Sequence, residues 1–167
     1  LQDYIGEENV NSAMKSFLEE YRYNSSPYPT SLDFLRHLEP HVPDSLNYLI
    51  DDWFKEITLY DNRLKEAKYK ELSNGKYEVT LEIESSKIKS DSLGNETKVA
   101  INDWIDVGFF LDDDEEELYE EQRLKFDKER MTVTVKLDKL PIKAAVDPRR
   151  ILIDRVYSDN IKPLSLD

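Results

Sequence analysis

The sequence contains no cysteine. Disulfides, thiol nucleophiles and thiolate metal sites are thereby excluded together, while the redox compartment stays open. Histidine is nearly as scarce, with two in 167 residues. They stand in His37-Leu38-Glu39-Pro40-His41, whose i, i+4 spacing superficially resembles the zinc-protease pattern H-E-x-x-H. The glutamate is one place too late to serve as general base, and Pro40 interrupts the helix that would bring both imidazoles to one metal. A polar loop between two helices is the expected structure there. With four glycines there is no Gly-rich phosphate loop, no G-x-S-x-G and no His-assisted serine, so acyl and phosphoryl transfer lack their parts. No apolar run approaches the roughly 18 residues that span a bilayer, and no signal-peptide pattern opens the chain. The sequence begins at Leu1 without a methionine, as expected of a soluble piece excised from a longer protein.

Acidic residues, in contrast, are abundant. Against 23 Lys and Arg stand 36 Asp and Glu, a formal net charge of −13. Such a field repels polyanions, so neither nucleic acid nor an anionic membrane is an expected partner. The densest run, Asp112-Asp113-Asp114-Glu115-Glu116-Glu117, attracts a hard cation in principle, and Asp112, Asp113 and Asp114 are the candidate cation loop. EF-hand spacing and its turn glycine are absent, so a solvated loop is the plainer reading. Asp103 and Asp106, beside Trp104, are the only acids in a strongly apolar context. On a strand whose inward face is Ile105 and Val107, Asp106 is expected to point outward. Trp53, Trp104 and the ten tyrosines offer material for a sugar platform, although such spacing more often builds a core.

An apolar fraction of 39 % suits one domain or two small ones with a real but modest core. Val10, Ala13, Met14, Phe17, Leu18 and Tyr21 form one stripe of a 3.6-residue period and predict an amphipathic helix over about 6–23. Pro27 and Pro29 end it, and Thr30 or Ser31 caps a short helix through His37. A third helix is expected from Asp44 along Leu46, Leu49, Ile50, Trp53, Phe54 and Ile57. After Asn62 the period changes from 3.6 to 2. Asn74-Gly75 predicts a type I′ hairpin between Leu64–Leu72 and the alternating Tyr77, Val79, Leu81 and Ile83. Further runs at 99–101, 105–111, 118–126, 131–137 and 142–146 bring the total to about seven short strands. Asp147-Pro148 then reads as the closing turn of a β-sandwich. The fold class is therefore α+β: about three helices over 1–60, then a seven-stranded antiparallel immunoglobulin- or fibronectin-like sandwich over 61–167.

Five blocks carry a resemblance. They are Tyr4–Asn11, Pro27–Leu35, Leu49–Asn62, Asn102–Gly108 and Ala144–Arg155. In that order they resemble the C-terminal part of bacterial fusion proteins that join an ABC-type permease to an aminopeptidase-N-like zinc metallopeptidase. The resemblance spans nearly the whole chain and is weakest across 112–130. It implies the end of a helical region followed by a closing β-sandwich, in a parent anchored by permease helices with this part extracytoplasmic. The family's H-E-x-x-H and downstream glutamate lie upstream of Leu1 on this comparison. Zinc and metalloaminopeptidase activity belong to that upstream part, and no catalytic, cofactor or metal residue transfers to this chain.

The function expected is thus that of a non-catalytic accessory module packing against the upstream catalytic region of its own polypeptide. Val10, Met14, Phe17 and Tyr21 are its candidate docking surface, through which the isolated chain is also expected to self-associate. The alternative is an independent β-sandwich that binds carbohydrate or Ca²⁺ through Trp104, nearby tyrosines and the acidic loop.

Overall fold

In the computed structural model, which describes residues 1–167, the chain divides into two compact units, Leu1–Ile57 and Thr58–Asp167. The first is built on three helices: α1 (Gln2–Ile5), α2 (Glu7–Tyr21) and α3 (Ser31–Leu38). Part of the α2 stripe packs on the helical core, where Ala13 is buried with Ile5, Leu35, Leu38, Val42 and Ile50 and Val10 packs against them, while Met14 and Leu18 stay exposed. A capping box fixes the start of α3. There the Asp33 carboxylate accepts the amide of Thr30 at 2.8 Å and its hydroxyl at 2.9 Å. Such a box satisfies donors that the first helical turn leaves free.

The long third helix does not form. Its residues break into a 3₁₀ turn at Asp44–Leu46, one α turn at Tyr48–Ile50 and a π turn at Asp51–Lys55. Leu49 and Ile50 are buried as the stripe requires, but Phe54 and Ile57 are exposed. The π turn adds a residue per turn and so rotates these last apolar positions off the buried face. Ile57 instead begins the first strand.

The second unit has nine strands in two sheets, an α+β chain with a β-sandwich-like second half. In the first sheet β1 (Ile57–Glu71) lies between β2 (Tyr77–Ser90) and the short parallel β9 (Ser165–Leu166). The other side of β2 pairs with β6 (Arg130–Leu137) along Tyr77–Glu84 and with β3 (Glu96–Val99) along Lys87–Ser90. The second sheet runs β5 (Leu118–Phe126), β4 (Asp103–Phe110), β7 (Lys143–Val146), β8 (Ile161–Pro163), each pair antiparallel. Alternation delivers Val79, Leu81 and Ile83 of β2 and Val133, Val135 and Leu137 of β6 to the core.

Two turns differ from expectation. Leu72–Lys76 is a five-residue connection, closed by Leu72 N–H to Lys76 O (2.8 Å), in which only Gly75 takes positive φ, at 78°. Asn74 uses its side-chain oxygen to accept the Lys76 amide at 3.1 Å. A local Asx contact thus replaces the left-handed conformation that a type I′ turn would require of it. Asp147-Pro148 does bend the chain after β7, but it does not close the sheet, because β8 and β9 follow and pair.

Candidate functional site

The polar groups of the β unit concentrate where β4 meets the segment 147–160. Asp106, expected to point at solvent, is 3 % exposed. Strand β4 is central in its sheet, and both of its faces are covered. Arg123 stands directly opposite in register on β5 and grips the Asp106 carboxylate with two hydrogen bonds, Nε to Oδ1 at 2.8 Å and Nη2 to Oδ2 at 2.7 Å. Arg149 adds a third at 3.3 Å and is itself tied to Glu121 at 2.8 Å. A bidentate guanidinium–carboxylate pair is among the strongest side-chain hydrogen-bonding arrangements.

The neighbouring Asp147 is held just as firmly. Its amide donates to Asp106 O at 2.7 Å, and its carboxylate accepts the amides of Ile151 and Leu152, both at 2.9 Å. Its φ is +50°, an uncommon value that short polar side chains tolerate best. Burial pushes its pKa up, the two amides oppose that shift, and the charges of Asp106 and Asp154 add to it. Asp154 accepts the Asn62 amide at 2.8 Å, the Asn160 side chain at 3.2 Å and the Val156 amide at 2.9 Å. Asn62, fully buried, also accepts the Ser85 hydroxyl. Asp103 is engaged by Lys87 at 2.9 Å, with both side chains buried.

Chemically, this cluster organises a loop. Asp106 accepts hydrogen bonds from two guanidinium groups, while Asp103 faces the Lys87 amine. Burial raises the pKa of Asp147, but its oxygens are bound to backbone amides and it is 2 % exposed, which leaves it out of reach of a substrate.

A second constellation, in the helical unit, corrects the expectation that no serine has a histidine beside it. Ser16 Oγ lies 2.8 Å from His37 Nδ1, and His37 Nε2 lies 3.0 Å from Glu20 Oε2. The spacing resembles that of a nucleophile, base and carboxylate, but His37 Nε2 makes no hydrogen bond to Glu20 despite the short distance. Ser16, however, sits inside α2, where the surrounding amides are engaged in helical hydrogen bonds and an oxyanion would find no free donors. Glu20 also pairs with Arg36 at 2.8 Å, and Arg36 donates to Tyr21 Oη at 2.6 Å. The group clasps α2 to α3. Its one sequence signal was Ser16 and Glu20 at i, i+4 on the helix that His37 would face.

The residues singled out in the sequence fare differently from one another. Met14 is half exposed, but Val10 packs on the helical core, Phe17 stacks edge-on against Phe34, and Tyr21 donates to Asp33. Leu18, one helical turn after Met14, is more exposed than any of the four. Asp112 caps its own loop by accepting the amides of Glu116 and Glu117, leaving Asp113 and Asp114 exposed beside it. No His, Asp or Glu cluster of three is arranged to hold a metal ion. Lys125 Nζ lies 5.6 Å from the centre of the Trp104 ring. No helix is long and apolar enough to cross a membrane. No protein-family model matches the chain, and no curated protein matches it.

Proposed function

We propose that this chain is a non-catalytic accessory module that packs against the upstream catalytic region of its own polypeptide, an aminopeptidase-like zinc metallopeptidase anchored by permease helices. The observation that carries this reading is the apolar surface left open on the helical unit. Met14 and Leu18 on α2 are 48 % and 57 % exposed, and Leu32 on α3 is 71 % exposed, with Tyr23 and Tyr28 exposed on the connection between the helices. Exposed apolar side chains gathered on one small unit mark an interaction surface better than a solvated one. The engagement of buried Asp103, Asp106 and Asp147 and of half-buried Asp154 by lysine, arginine or backbone amides supports a structural use of these acids.

For the β unit we read an immunoglobulin- or fibronectin-like sandwich of seven principal strands. The supporting feature is the pairing order, with β1-β2-β6 in one layer and β5-β4-β7-β8 in the other. It sets the second strand beside the sixth and the fourth beside the seventh, as such sandwiches pair B with E and C with F. In this reading β3 and β9 are short additions.

The test is binding in trans. The upstream region, expressed without residues 1–167, should capture this chain in calorimetry, and Met14→Glu with Leu18→Glu should weaken that capture at least about tenfold, given roughly 1.5–3 kcal/mol for each apolar side chain buried. Chelator-sensitive cleavage of amino-acid amides by the longer protein alone is the companion result. Peptidase activity in this chain, or no capture by the upstream region, overturns the reading.

A further inference from the structure

An open sheet edge is a template for another strand, and folded proteins usually blunt it. Three of the edges here are blunted. The outer side of β1 receives β9 and a hydrogen bond from its Tyr60 amide to Ile153 O, β8 is three residues long and ends in Pro163, and the β4–β5 ladder slips register between Phe109 and Phe110. Strand β3 is only four residues long. The eight-residue β6 is different. It pairs with β2 on one side in unbroken register, from Tyr77 opposite Leu137 to Glu84 opposite Arg130, and contains neither proline nor bulge. Thr132, Thr134 and Lys136 are exposed, while Val133, Val135 and Leu137 face the core.

We propose that two copies of this chain pair antiparallel along β6, with Thr134 on the two-fold axis. Residues opposed in an antiparallel ladder share a face, so a core-facing residue must oppose a core-facing residue. Only a few registers satisfy that condition, and charge separates them. Centred on Thr134, Val133 meets the partner's Val135 and Met131 meets the partner's Leu137. Just beyond, Arg130 meets the partner's Asp138 and Glu129 meets the partner's Lys139. A register centred on Val133 opposes Arg130 to the partner's Lys136, two like charges. One centred on Val135 forms neither ion pair.

The groups recruited are inexpensive to redirect. Arg130 with Glu84 (2.7 Å), Asp138 with Lys76 (2.7 Å) and Glu129 with Lys98 (2.8 Å) are paired at the surface, where such contacts contribute little. The occupant is a second copy because the edge is complementary to itself, and its neighbourhood mixes basic and acidic residues in a chain whose net charge of −13 otherwise repels its like. One eight-residue edge buries less than a standard interface, so the dimer should be weak, with a dissociation constant on the order of 100 μM.

Sedimentation velocity of the full chain from 10 μM to 1 mM, taken as an approximate range around that constant, tests this. The expected result is a concentration-dependent dimer. Thr134→Lys, at an exposed position that leaves the fold intact, opposes two ammonium groups on the axis and should weaken association about fivefold. Asp138→Arg should weaken it by a similar factor, and the double exchange Arg130→Asp with Asp138→Arg should restore it to within about twofold, since the swapped charges complement each other only in this register. A monomer throughout, a dimer indifferent to Thr134→Lys, or a double exchange that fails to restore association would overturn the proposal. So would a dimer abolished by Met14→Glu while the β6 variants are silent, which would locate self-association on the helices.

Discussion

Replacing Asp106 by asparagine removes one charge and little volume from the centre of the β unit. The wild-type carboxylate, 3 % exposed, receives three guanidinium hydrogen bonds between 2.7 and 3.3 Å. Breaking a fully buried ion pair costs about 3–5 kcal/mol, because the remaining charge has no solvent. Here the side chains of Arg123 and Arg149 are 27 % and 41 % exposed and can rehydrate, and asparagine keeps one acceptor. The expected loss is therefore at the low end, about 2–3 kcal/mol. Urea unfolding measures it, and the assay can be confined to the β unit. The only tryptophans are Trp53 and Trp104, so a Trp53→Phe background leaves the fluorescence to Trp104, two residues from the perturbation. A double-mutant cycle with Arg123→Gln should give a coupling of about 2 kcal/mol. A loss under about 0.5 kcal/mol with no coupling would show that the clamp behaves as a surface pair. A stabilising result would refute the structural reading more deeply, since strained or unfavourable charges that a fold retains are typical of working sites.

Asp147→Asn should change the pH dependence of stability. With its pKa raised above 3.8 by burial, the folded state takes up this proton before the unfolded chain does, so acidification through that window stabilises wild type. The asparagine variant lacks that gain, and its stability relative to wild type should fall progressively as pH is lowered toward the ordinary carboxylate range, whereas a flat difference in denaturation midpoints would contradict the assigned cause. Gly108→Ala would set a methyl 2.7 Å from Pro148 Cγ and 2.8 Å from Leu118 Cδ1, and calorimetric melting should register an overpacking loss of about 1–3 kcal/mol. Thr30→Ala removes one partner of the α3 capping box and should lower helical-unit stability by about 1 kcal/mol, read by amide exchange across 31–38, with no effect on the β unit.

Much of this architecture is legible in the residues. The α2 helix with Val10 and Ala13 on its packed side, the Thr30 cap, the change of period after Asn62 and the alternation of β2 and β6 all follow from local chemistry that packing then uses. The failures share a cause. A period of 3.6 can be counted through Phe54 and Ile57, but whether the backbone keeps that period depends on what the last turn packs against, and a π turn intervenes. Alternation says that Ile105 and Asp106 face opposite ways. It does not say that the second face is also covered, because that cover comes from Arg123 opposite on β5 and from Arg149 in the segment after β7. Ser16, Glu20 and His37 illustrate the same limit, since their meeting requires α2 and α3 to pack first.

The acids around the segment after β7 act through what they hold in place. Asp106 receives the Asp147 amide on its backbone oxygen and two arginines on its side chain. Asp147 turns the chain and takes the next free amides, and Asp154 ties the following stretch to Asn62 on β1. In sequence this is a relay from Val146 to Asn160, which itself accepts the Val146 amide on its carbonyl oxygen. A strandless segment inside a small sandwich must satisfy each buried amide individually, and carboxylates with two acceptor oxygens do so with few residues. The stretch Ala144–Arg155 is on this account built for a structural reason. Its acids and arginines carry the chain from β7 to β8, so these charges serve the loop's own structure.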